Sequence, residues 1–143
     1  LKNSFGFSLE NTDKKISLWY NIQEVNPMKN RSELREIIMK VIYQVNILKE
    51  GNLDYNINEL IKEQLEIEND FVNETVNGIV KNQEEIDTLA NKYLKKWTID
   101  RFNKVDQAIL SIGIYELMYT DTPSVVAINE ALELSKKYIT KSK

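Results

Sequence analysis

The stretch from Val105 to Met118 constrains the fold more than any other part of the chain. Val105, Ala108, Ile109, Leu110, Ile112, Ile114, Tyr115, Leu117 and Met118 leave a helix built from it almost no polar side. A helix that is apolar all round is stable in water only where other elements surround it. The stretch is also shorter than the ~20 apolar residues that a bilayer crossing takes. The rest of the chain must therefore supply amphipathic partners that close around this segment.

Five such partners can be read. Leu34, Ile37, Ile38, Val41, Ile42, Val45 and Leu48 recur at helical spacing and predict a first helix, opened by Asn30 with Glu33 and stopped at Gly51. Ile57, Leu60, Ile61 and Leu65 mark a second, opened by Asn56 with Glu59. Phe71, Val72, Val76, Ile79 and Val80 mark a third, ending near Lys81 and Asn82. A fourth, opened by Asn82 with Glu85, carries Ile86, Leu89, Ala90, Tyr93, Leu94 and Trp97 on one stripe, which assigns Trp97 to the core. The segment from Val105 is the fifth and central helix. After the Thr120 to Pro123 loop comes a sixth, with apolar positions at Ile128, Ala131, Leu132, Ser135 and Ile139. Six helices joined by short connections predict an all-α bundle.

Residues 1–27 read differently. Phe5, Phe7 and Leu9, and then Ile16, Leu18, Tyr20 and Ile22, alternate with neighbours on either side of the polar run Glu10 to Asp13, which predicts a β-hairpin over residues 4–23. Pro27 ends the pattern. A lone hairpin is marginal in water, so its apolar face should be covered by helices of the same chain or by a second copy, making a homodimer an expectation. The expected organisation is an N-terminal hairpin extension of unknown role over 1–27 and a helical domain over 28–143.

The chemistry available is narrow. The chain has no cysteine and no histidine, which removes thiolate nucleophiles, disulfides, the commonest general base and the commonest metal ligands. Gly6, Gly51, Gly78 and Gly113 stand alone, so no phosphate-binding glycine loop is present. Pairs such as Glu130 with Glu133, or Asp100 with Asp106, are ordinary acids of solvated helix faces. No catalytic residue, cofactor or metal is expected. No secretory leader opens the chain, and a cytoplasmic protein without a membrane partner is expected.

The formal charge of -3 hides a segregation. Eleven acids and two bases lie between Glu50 and Asp87, whereas Lys92 to Lys104 holds five bases and one acid, and Lys136 to Lys143 four bases and no acid. From Lys29 to Lys40 the balance is +2. Lysines near helix C-termini also complement the helix dipole, so charge alone leaves their role open.

The second half carries a resemblance. Trp97, Arg101, Val105-Asp106, Ala108-Ile109-Leu110, Ile112 and Tyr115-Glu116-Leu117, followed by Pro123, Val125 to Ala131, Glu133-Leu134 and Lys136-Lys137, resemble the NusB family of transcription antitermination and ribosomal RNA-processing factors. Met28-Lys29-Asn30-Arg31 onward is similar to the start of such proteins, so the resemblance spans 28–143. It implies two small helix bundles packed together, no enzymatic activity, and binding of single-stranded boxA-type RNA together with ribosomal protein NusE within the RNA polymerase antitermination complex.

The resemblance also suggests sites. It places RNA on the first helix, where Lys29, Arg31, Arg35 and Lys40 are the candidate contacts on its exposed side. Lys92, Lys95, Lys96, Arg101 and Lys104 form a reserve set. Tyr43 and Asp106 match positions where relatives meet NusE or the RNA border, although a half-buried tyrosine and a helix-start acid are equally ordinary readings. Asn129 and Glu130 are expected to hold the Thr120 to Pro123 loop against the bundle. Glu33 and Leu34 interrupt the arginine cluster usual in the family, Ser111 and Gly113 replace its usual Arg and Ala, and the resemblance implies a further helix after Lys143. Two alternatives stay open: a NusB-like helical interaction module without RNA binding, and an accessory domain of an RNA-modifying enzyme.

Overall fold

The computed structural model of the protein describes residues 13–16 and 29–139. The chain divides into two compact units, Leu1–Asn30 and Arg31–Lys143. In the first, residues 13–16 are helical. This corrects the hairpin reading, which gives these residues to the turn and to the start of the second strand; there is no strand among the described residues. The reason is local: an acid at Asp13 suits a first helical turn, Lys14 and Lys15 are good helix formers, and an isolated two-stranded hairpin has little to hold it. The rest of the expected hairpin, and with it the surface expected to pair with a second copy, lies outside the described residues.

The second unit is all helix: α1 (Arg31–Glu50), α2 (Ile57–Gln64), α3 (Asp70–Lys81), α4 (Gln83–Tyr93), a 3-10 turn (Ile99–Arg101), α5 (Lys104–Tyr119) and α6 (Ser124–Ile139). α1 packs on α2 and α3, α5 packs on α4 and α6, and the two groups join where α5 lies against α1 and α3. Ile38, Val41 and Ile42 of α1, Val72, Val76 and Ile79 of α3, and Ala108 and Ile112 of α5 fill the junction and are almost fully buried. Each fully buried aliphatic side chain of this kind contributes roughly 1.5–3 kcal/mol. No described helix is long and apolar enough to cross a membrane.

The helix ends show how far local chemistry reaches. Asn56 caps α2, its side-chain oxygen accepting from Glu59 N at 3.1 Å, and Asn69 and Asn103 do the same for α3 and α5. Asn82 departs from the expected role. It makes no side-chain cap on α4, and its Nδ2 instead donates to Gly78 O at 2.8 Å, closing the end of α3. Beyond α1, Leu53 N donates to Leu48 O and Asn52 N to Lys49 O, a Schellman arrangement whose left-handed residue is Asn52, at φ 53, and not Gly51.

Two apolar stripes end up elsewhere than expected. α4 stops at Tyr93, and the extended Leu94 leads the chain away from the helix axis. Ile99 N then donates to Asn91 Oδ1 at 2.7 Å, and buried Ile99 becomes the apolar anchor, leaving Trp97 55% exposed. On α6 the buried apolar side chains are Ala127 and Leu134, while Ile128 and Leu132 stay half open. With Leu110, Gly113, Ile114 and Leu117 of α5 they line an apolar groove of about 480 Å³.

Candidate nucleic-acid interface

The cations of α1 separate into different environments. Arg31 is exposed, and its Cζ lies over the ring of Phe71 on α3, 3.9 Å from the centroid, a cation–π contact. A guanidinium held this way keeps its planar edge available for phosphate or base acceptors. Lys40 is also exposed and sits 3.8 Å from Glu36 Oε1, one turn earlier on the same helix. Lys29 belongs to the other unit and is half-buried.

Arg35 corrects the expectation that it lies on the exposed side of α1. It is 3% exposed, and its Nε and Nη2 donate to the buried carboxylate of Glu116 on α5, with a shortest distance of 2.7 Å. Its Nη1 is 3.9 Å from Glu130 Oε1 on α6. Two charges this deep would be costly if unmatched, and the paired geometry of guanidinium and carboxylate is what makes their burial tolerable. Arg35 therefore ties three helices together and has no surface to offer a phosphate.

The same network fixes the loop before α6, through a residue other than the expected one. Thr120 Oγ1 donates to Glu116 O at 2.7 Å, and Thr122 Oγ1 to Glu116 Oε1 at 3.4 Å, so Glu116 holds the loop. Glu130 instead accepts from Ser32 Oγ at 2.8 Å and binds the start of α6 to the start of α1. The sequence carried a signal for Glu116: four and eight residues after Ile112 and Ala108, it shares their buried stripe as the one acid on it.

Beside this network Glu36 gathers cations of its own. Lys137 Nζ donates to Glu36 Oε2 at 2.7 Å, and the Tyr138 hydroxyl donates to Oε1. Partial burial raises the Glu36 pKa, but these hydrogen bonds and the charges of Lys137 and Lys40 outweigh it and hold the carboxyl below 4.5. Burial and the Glu36 charge push the Tyr138 hydroxyl up to about 12. Part of the positive charge counted along α1 and α6 is thus neutralised in place.

Tyr43 stands 36% exposed on α1. Asp106, in the first turn of α5, accepts from Asn103 Nδ2 at 3.1 Å on one oxygen, while its Oδ1 is buried without a partner among the described residues. Burial raises its pKa above 3.8 against the opposing Asn103 hydrogen bond. Asp106 also lines the apolar groove.

The model of the NusB family matches residues 32–143. The transcription antitermination protein NusB of Acetivibrio thermocellus is 45% identical over 111 residues, covering 76% of this chain and 76% of the relative. The protein of the same description from Clostridium novyi is 40% identical over 113 residues, covering 76% of this chain and 85% of the relative. Among solved structures, a chain of the crystal structure of antitermination factors NusB and NusE in complex with dsRNA superposes with a TM-score of 0.65 at 28% identity, covering 78% of this chain and 84% of that one. NusB of T. maritima superposes with a TM-score of 0.66 at 29% identity, covering 77% and 79%.

Proposed function

Because the chain belongs to the NusB family, we propose that it is a transcription antitermination factor that binds RNA together with ribosomal protein NusE. The observation that carries this reading is the similarity of the whole helical unit to NusB proteins, including one solved with NusE and dsRNA. The RNA meant is a boxA-type single strand. Arg31, over the ring of Phe71, and Lys40 are the phosphate contacts of α1. Lys29 is assigned a phosphate contact of its own. Tyr43 and Asp106 are the contacts to NusE: the first offers a partly exposed ring on α1, the second a half-buried carboxylate in the first turn of α5.

Electrophoretic shift of a boxA-like RNA, with and without NusE, tests the reading. Arg31→Ala with Lys40→Ala should weaken binding and lower the salt slope by about 0.7 for each lost contact to a single strand. Tyr43→Asp, folded by circular dichroism, should bind RNA alone as before and lose the shift produced by NusE. A second reading, a helical interaction module without RNA binding, is favoured by the burial of Arg35 and the pairing of Lys40 and Lys137 with Glu36. No shift under any condition would select it.

A further inference from the structure

The linker between α4 and α5 presents another cationic surface, and there aromatic rings stand open. Tyr93, the last residue of α4, is 70% exposed, and Trp97 four residues on is 55% exposed. Each ring has a cation beside it: Lys92 Nζ lies 5.5 Å from the Tyr93 centroid, and Arg101 Cζ lies 5.6 Å from the Trp97 centroid. Lys95 and Lys96 between them are exposed. Among the described residues no ion pair joins Lys92, Lys95, Lys96 or Arg101 to an acid, whereas Lys104 is held by Glu50 at 2.8 Å. The one acid of the segment, Asp100, accepts from the Thr98 hydroxyl.

This exposure is built into the chain path. Beyond the end of α4 it is Ile99, its N–H held by the Asn91 side chain, that is buried, while Trp97 stands open. Two large rings kept in water give up the free energy their burial would gain, and rings interleaved with unpaired cations suit one class of ligand well. Unstacked bases lie on aromatic faces while Lys and Arg follow the phosphates. A protein partner fits less well, because lysine is depleted at protein interfaces.

We propose that this surface binds single-stranded RNA, with a base stacked on Trp97, a second on Tyr93, and Lys95, Lys96 and Arg101 on the phosphates. The proposal rests on the reading that the chain binds RNA, but it concerns residues that the α1 site does not include. Duplex RNA, whose bases are already stacked, is not expected to use it.

The test uses the full chain with Trp19→Phe, which leaves Trp97 as the sole tryptophan. Titration with an unstructured uridine-rich RNA should quench Trp97 emission, and a blunt duplex of the same length should not. Trp97→Ala, followed by gel shift, should weaken binding roughly tenfold, with Trp97→Tyr restoring most of the loss. Lys95→Gln with Lys96→Gln should lower the salt slope by about 0.7 per contact. If emission is unmoved and these variants bind as the parent does, while Arg31→Ala weakens binding, the proposal fails and the α1 site stands. If the parent chain binds no RNA at all, both fail. Quenching by NusE without RNA, and none by RNA, would make the surface a protein interface and overturn the proposal.

Discussion

The two sides of α5 make an instructive contrast, since one helix of nearly uniform apolar character meets two different fates. Toward α1 and α3 it is closed: Ala108, Ile112 and Glu116 are buried, and the charge of Glu116 is matched by Arg35 at 2.7 Å. Along α6, which also packs on it and buries Ala127 and Leu134, a groove of about 480 Å³ is left: Leu110, Gly113, Ile114 and Leu117 line it, and Ile128 and Leu132 opposite them stay half exposed. The polar atoms follow the same division. Ser111 on the closed side accepts from Gln83 Nε2 at 3.1 Å, while Asp106 beside the groove keeps an unpartnered oxygen. Apolar character thus does not by itself bring about burial, and a charge such as Glu116 can be buried where a partner matches it; what the facing helix brings decides. α1 brings long side chains across its interface, whereas α6 sets the small Ala127, Ala131 and Ser135 beside Ile128 and Leu132 along the groove.

The contrast can be broken most severely at Glu116. Glu116→Ala leaves Arg35 charged and buried without its partner and should cost about 3–5 kcal/mol of unfolding free energy in denaturant. Replacing both members, Arg35→Met with Glu116→Leu, should recover most of that loss; if the single variant costs less than ~1 kcal/mol, the pair is not closed as described. Next in size is Gly78→Ala. A Cβ there would lie 2.2 Å from the Tyr115 hydroxyl oxygen and 2.4 Å from Cζ, so the ring, itself stacked on Tyr119, must move. A loss of about 1–3 kcal/mol is expected on thermal or chemical unfolding.

The open side should answer in the opposite sense. At Gly113 a Cβ would meet only Ala131 Cβ, at 3.6 Å, an ordinary contact. Gly113→Ala, inside a helix, should therefore stabilise by about 0.5–1 kcal/mol, and a destabilisation would mean that the groove is tighter than it looks. The smallest effect is a pH dependence. The Asp106 carboxyl, raised above 3.8 by burial, binds its proton more tightly when folded, so its charge opposes folding increasingly as pH rises through that window. Asp106→Asn should gain stability relative to the parent at pH 7 compared with pH 3. Glu36 works the other way: held below 4.5, it contributes stability above that pH and loses it on acidification, so Glu36→Gln should flatten the acid limb.

What was legible followed from distance along the chain. The six helices, the cap at Asn56, the loop before Pro123 and the central place of α5 all rest on interactions within about one helical turn, which periodicity and side-chain chemistry reveal directly. Arg35 carries two opposing signals: its charge points to the surface, but three and seven residues before Ile38 and Ile42 it lies on the buried stripe, and the stripe prevails because Glu116 supplies the counter-charge. Trp97 continues the α4 stripe in sequence but not in space, because the helix stops at Tyr93 and Ile99 is the residue buried beyond it.

By itself, then, the sequence determined the six α-helices of the second unit and that no thiol or imidazole chemistry is available, but not the helical residues 13–16 or the 3-10 turn at Ile99–Arg101. The tertiary structure alone decided which cations are spent and which remain open, and which apolar stripe is covered. Arg35 finds its carboxylate 81 residues away at Glu116, and Glu36 finds Lys137 at a separation of 101. A helix forms from hydrogen bonds four residues apart and can be read locally, but burying a charge or closing a groove depends on what a distant part of the chain brings to it.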